Sequence, residues 1–146
     1  MLNNAFGIDT SLISLLIALL IVGILIFLMI SFSQKRGHKF DTDEYQYLWM
    51  KIENTLDKNN TLSYNLVAIE ADKLLDKALC EMGVPGKTMG DRLKRAGGKF
   101  TAVNSVWYAH KLRNQIAHET GFQLKYEQAR NVLKTFKQAL KDLGAV

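Results

Sequence analysis

Residues 12–32 read LISLLIALLIVGILIFLMISF, 21 consecutive positions from Leu12 to Phe32 without one charged side chain. At 1.5 Å of rise per residue, a helix of this length covers about 30 Å, the thickness of a bilayer's hydrocarbon core. The stretch before it offers neither Lys nor Arg, and no small-residue cleavage site follows it. A permanent anchor is therefore expected rather than a removable secretory signal. Gly23, Ser14 and Ser31 stand singly in the run. Without a small-xxx-small pair the segment reads as a plain tether, not as a helix-pairing motif. Lys35, Arg36 and Lys39 come just after it, whereas Asp9 is the one charged side chain before it. The positive-inside rule then expects residues 1–11 outside the cytoplasm, a transmembrane helix over 12–33, and the C-terminal part in the cytoplasm at the cell membrane.

About 110 residues follow the anchor, enough for one modest hydrophobic core and too few for two domains. All 19 Lys and Arg lie in this part, with 13 of the 14 acids, so it carries a net charge of +6. That balance favours anionic partners, either nucleic acid or acidic lipid headgroups, although a solvated basic surface is the more ordinary reading. Cys80 is the only cysteine. It excludes an intrachain disulfide, and with no His, Asn or Asp beside it in sequence it reads as structural rather than as a nucleophile.

Residues 34–40 form a short basic linker, and residues 41–146 a helical bundle. Asp41 and Glu44 stand at capping-box spacing and open a first helix running to about Asp57. Its buried stripe is expected to be Tyr45, Leu48, Trp49, Ile52 and Leu56. A second helix starts near Thr61 and carries Val67, Ala71, Leu74, Leu75, Ala78, Leu79 and Met82 on one side. Gly83-Val84-Pro85-Gly86 stops it. A short helix capped by Thr88 extends to Ala96, another runs from about Ala102 to His118 or Glu119, and a last one from about Leu124 to Leu143, closed by Gly144. No strand-like alternation, repeat or low-complexity tract interrupts them. The fold class is all-α: an N-terminal transmembrane helix followed by a small antiparallel bundle of four to five helices.

One stretch carries chemistry. Trp107-Tyr108-Ala109-His110-Lys111-Leu112-Arg113-Asn114-Gln115-Ile116-Ala117-His118-Glu119 contains Arg-Asn-x-x-x-His near a helix C-terminus. Asn114 and His118, four apart, share a helix face, while Arg113 points about 100° aside. Arg113 and His118 therefore do not pair on one straight helix, unless the helix frays or a partner helix completes the site. An imidazole can exchange a proton near neutrality, and a guanidinium offers a permanent charge whose fork matches phosphate oxygens. Together they suit RNA cleavage without a metal: His118 acting on the ribose 2′-hydroxyl or the leaving oxygen, and Arg113 stabilising charge on the in-line phosphorane.

Arg113, Asn114 and His118 make the chain resemble the HEPN superfamily (higher eukaryotes and prokaryotes nucleotide-binding domain), small helical bundles marked by an Arg, often followed by a polar residue, then a His four to six residues on. The resemblance covers the bundle from about Asp41 to Gly144; only the motif is specific. It implies a metal-independent endoribonuclease whose two motifs meet across a homodimer cleft, with Arg113 and His118 catalytic and Asn114 orienting. The branch partnered by a nucleotidyltransferase has a Tyr two residues past the His. Thr120 stands there in this chain, so control by modification of that Tyr is not expected.

No cofactor or metal is expected. His118-Glu119 could open a zinc-protease helix, but Phe122 occupies the position of the second ligand. His110 and His118, eight apart, lie about 12 Å from each other along a helix, too far to share a tetrahedral ion. On the last helix Arg130, Lys134, Lys137 and Lys141 form one stripe opposite Val132, Leu133, Phe136, Ala139, Leu140 and Leu143. Lys94, Arg95 and Lys99, with Lys87 and Arg92, cluster before the motif helix. Either group could track a phosphate backbone or acidic lipid, and RNA is expected between the second cluster and His118. The expected partners are the bilayer, RNA and a second copy of the chain. The alternative is a non-catalytic membrane-tethered module that binds a protein or nucleotide ligand, its motif stabilising helix packing.

Overall fold

The computed structural model describes residues 10–33 and 38–146, and among them the chain is all-helical. It divides into two compact units, residues 1–37 and residues 38–146. The described residues of the first form one helix, α1 (Thr10–Ser33). From Ser11 to Met29 it is long and apolar enough to cross a membrane. Large aliphatic side chains point outward all around it, the distribution a helix shows when its surroundings are lipid on every side. Ser14 returns its hydroxyl to the Ser11 carbonyl at 2.8 Å, so its one polar atom in this turn is satisfied within the helix. The expected extracytoplasmic residues 1–9 and the linker residues 34–37 lie outside the described residues.

The second unit contains α2 (Thr42–Thr55), α3 (Thr61–Glu81), α4 (Met89–Ala96), a single 3₁₀ turn (Gly97–Lys99), α5 (Val103–His118) and α6 (Tyr126–Leu143). Its core already begins at Phe40, which is buried and meets Tyr45 edge-on at 5.2 Å; part of the expected linker thus belongs to the bundle. α3 is the central element, packing against α2, α4, α5 and α6. Val67, Ala71, Leu75, Ala78 and Leu79 line its inner side, facing a core to which α6 contributes Val132, Phe136, Ala139 and Leu140. In α2 only Tyr45 and Trp49 of the expected stripe are fully buried; Leu48, Ile52 and Leu56 are half-buried. α2 is an outer helix in this unit, packed mainly on α3.

Local signals set the boundaries. The Asp41 carboxylate accepts from the Glu44 N–H at 3.1 Å at the start of α2, and Asn60 caps α3 through the Leu62 N–H. Gly144 closes α6 at φ +78°, in the left-handed region that a side chain disfavours. In α4, Thr88 and Asp91 form a reciprocal capping box, with the Asp91 carboxylate also accepting from the Lys87 N–H. Hydrogen bonds from the Thr88 backbone, foremost, and the Thr88 hydroxyl hold the Asp91 carboxyl below its ordinary range. A depressed folded value gives stability that is present above the unfolded Asp value, about 3.9, and is lost as pH falls through the lower folded value. Asp91→Asn should therefore flatten the acid limb of the pH–melting curve while leaving the fold intact at pH 7. An unchanged acid limb would show that the cap contributes nothing measurable.

Candidate functional site

Two acids one turn apart on α3, Asp72 and Asp76, tie down the neighbouring helices. Asp76 takes a two-pronged contact from Arg92 of α4, Nε to Oδ1 at 2.6 Å and Nη2 to Oδ2 at 2.8 Å, while Arg92 Nη1 donates to the Gly86 carbonyl at 2.6 Å. All three nitrogens of that guanidinium are engaged, and the hydrogen bond to Asp76, the main cause, holds it more firmly charged. Arg92 is a structural cation. Asp72 turns instead toward α5, where a different arrangement forms.

The Asp72 carboxylate is almost wholly buried, its side chain 4 % exposed. It accepts from His110 Nδ1 at 2.7 Å. Because an ionised carboxylate only accepts, Nδ1 carries the hydrogen and Nε2 of a neutral ring is left as an acceptor. Asn114 Nδ2 donates to that Nε2 at 3.2 Å, and Arg113 Nη1 donates to Asn114 Oδ1 at 3.3 Å. Arg113 Nε stands 3.3 Å from Asp72 Oδ2, in ion-pair contact but with its N–H directed away from a true hydrogen bond. Asp72, His110, Asn114 and Arg113 thus close a ring. Only one of the five N–H groups of Arg113 has a protein hydrogen-bond partner among the described residues. Its Nε is buried, so the donors left for an anion are on Nη1 and Nη2.

This ring forms part of the wall of a groove of about 670 Å³ between α3, α4 and α5, to which Trp107 and His118 also contribute. On α5 the groove residues Trp107, His110, Asn114 and His118 recur at steps of three, four and four, one stripe along the helix. His118 is exposed at the last turn of α5. Its place is set by the connection that follows, because Asn65 of α3 donates to the Phe122 carbonyl at 3.0 Å and accepts from the Leu124 N–H at 2.9 Å. Opposite, α4 offers Gly90. A Cβ there would stand 3.9 Å from both His110 Nε2 and Trp107 Cζ3, so the absent side chain keeps this wall open. The cations along the groove are Lys73, Lys87, Arg92 and Arg113; Lys73 pairs with Glu70, Arg92 with Asp76 and Arg113 with Asp72, so the small positive excess suited to phosphate comes from Lys87.

Arg113, Asn114 and His118, the residues singled out from sequence, therefore share one groove. The seven basic residues singled out with them do not line it. Lys94, Arg95 and Lys99 are exposed, with Arg95 turned back to the Pro85 carbonyl at 2.5 Å. On α6, Arg130 pairs with Glu127 at 3.2 Å and Lys137 with Glu53 at 2.8 Å. Lys134 and Lys141 are exposed, so acids break the expected cationic stripe at two of its four members. Sequence reasoning passed over Asp72 and weighed His110 only as a metal ligand. Their signal was an acid set beside Ala68, Ala71 and Leu75 on a core helix, and a His three residues before Arg113 and four before Asn114. Among the described residues no cluster of His, Cys, Asp and Glu could hold a metal ion. Comparison with protein-family models, curated proteins and solved structures gives no match.

Proposed function

We propose that this protein is a membrane-anchored, metal-independent endoribonuclease of HEPN type, acting as a homodimer with its bundle on the cytoplasmic side. The observation that carries this reading is a guanidinium held by a buried carboxylate yet mostly free to donate, in a basic groove that also contains an exposed imidazole. Arg113 would bind a non-bridging phosphate oxygen as the 2′-oxygen attacks phosphorus and the bond to the 5′-oxygen breaks. An imidazole from His118 takes the 2′-hydroxyl proton, and a proton is returned to the departing 5′-oxygen, leaving a 2′,3′-cyclic phosphate. Two copies facing each other would supply one imidazole for each task. Asp72 and His110 position Asn114 and Arg113 and touch no substrate in this scheme.

The test uses the full chain in detergent micelles with RNA and excess EDTA. Cleavage to cyclic-phosphate ends is expected, and His118→Ala should abolish it at an unchanged melting temperature, since His118 makes no hydrogen bond with the described residues. Intact RNA after incubation with the folded protein would overturn the reading. The burial of Asp72 and His110, each satisfied within one bundle, favours the second reading, a non-catalytic interaction module. That reading gains if RNA survives while His118→Ala lowers the melting temperature.

A further inference from the structure

Trp107 is a large apolar side chain that the bundle leaves partly in solvent. It is 38 % exposed, on the same helix face as His110 and Asn114, and it walls both the main groove and the smaller hollow it forms with Tyr108, Lys111, His110 and Asn114. Its indole meets the His110 ring edge-on, centroids 6.2 Å apart and planes at 72°, so the imidazole does not stack on its faces. Gly90, across the groove, brings no side chain against it: even an added Cβ would only reach ordinary contact at 3.9 Å. The result is a partly exposed aromatic side chain on the same groove as Arg113, six residues before it and about 9 Å along α5. A Trp and an Arg in one positive groove combine the two elements with which proteins hold unpaired nucleic acid, a stacking platform and a backbone cation.

Resting on the nuclease reading above, we infer that Trp107 is a base-stacking subsite. It holds an unpaired nucleobase next to the phosphate bound by Arg113 and so sets which position of an RNA is presented for cleavage. A base engaged in a duplex stacks on its neighbours and cannot offer a free face, so the subsite rejects paired RNA. Stacking is tolerant of base identity, and selection falls on unpaired structure rather than on sequence.

The experiment measures binding of a 2′-O-methyl oligoribonucleotide, which lacks the attacking hydroxyl, to the full chain in micelles by fluorescence anisotropy, in parallel with cleavage of the matching RNA. Trp107→Ala should weaken binding about ten- to a hundredfold and Trp107→Phe should keep most of the affinity, both measured at a temperature where circular dichroism shows the variants folded. An oligonucleotide with one abasic position should erase the difference between wild type and Trp107→Ala when that position is the stacked one. Equal affinity of wild type and Trp107→Ala, with cleavage intact, would overturn the subsite and leave the nuclease reading standing. Absence of both binding and cleavage in the wild type would overturn the two together.

Discussion

Asp72→Ala should destabilise the bundle by about 2 to 4 kcal/mol, because it strips a buried hydrogen-bond acceptor from His110 and the counter-charge from Arg113 in one step. The figure is held down because the Arg113 side chain is 28 % exposed, so water screens part of the lost attraction. For a domain of this size the shift amounts to roughly 10–20 °C in thermal melting. Asp72→Asn keeps an acceptor for Nδ1 and loses only the charge, so its melting point should fall between the two. Far-UV circular dichroism of the full chain in micelles measures all three. Coincident melting curves for wild type and Asp72→Ala would mean that the ring carries no net stability.

The second large effect concerns rate. Arg113→Ala should lower RNA cleavage on the order of 10² to 10³-fold, the usual cost of losing one charged or hydrogen-bonding group aimed at a developing oxyanion. It should also lower the melting point, because the buried Asp72 carboxylate loses its counter-charge and keeps the hydrogen bond from His110 at 2.7 Å, so cleavage is compared at a temperature where both proteins are folded. Arg113→Lys restores the charge but not the planar fork, and an ammonium on its flexible stem cannot reach Asn114 and phosphate in the same geometry. It should recover only part of the activity. Single-turnover cleavage, with melting measured on the same samples, checks both variants; full activity in Arg113→Ala would remove Arg113 from the chemistry.

Much of this molecule was legible before any coordinates, for reasons that differ from part to part. The α1 segment is uniform in character, and length and absence of charge are properties a sequence states directly. The bundle's helices announce themselves through caps and stops: Asp41 with Glu44, Thr88, Gly144 after Leu143. The packing of α2 was less legible, because periodicity shows which side faces inward but not how many neighbours cover it. Leu48 and Ile52 lie on the correct side and remain half-buried. In the site, Arg113, Asn114 and His118 were found by local spacing along one helix. Asp72 was missed because its partners are 38 residues away and more in the chain, and no local pattern shows which acid of α3 faces α5. Spacing along α6 likewise shows a stripe of cations but not that Glu53, the partner of Lys137, comes from α2.

The ring of Asp72, His110, Asn114 and Arg113 has one further property. Its hydrogen bonds run in one direction, from Arg113 through Asn114 and His110 to Asp72, and the ion pair between Arg113 and Asp72 closes it. An amide has one donating and one accepting end, so with the His110 ring fixed by the carboxylate the Asn114 NH₂ faces the imidazole and its oxygen faces Arg113. The aim of the guanidinium at the groove is thereby set by a carboxylate buried on another helix, through two side chains that carry no fixed charge of their own in the chain of donors.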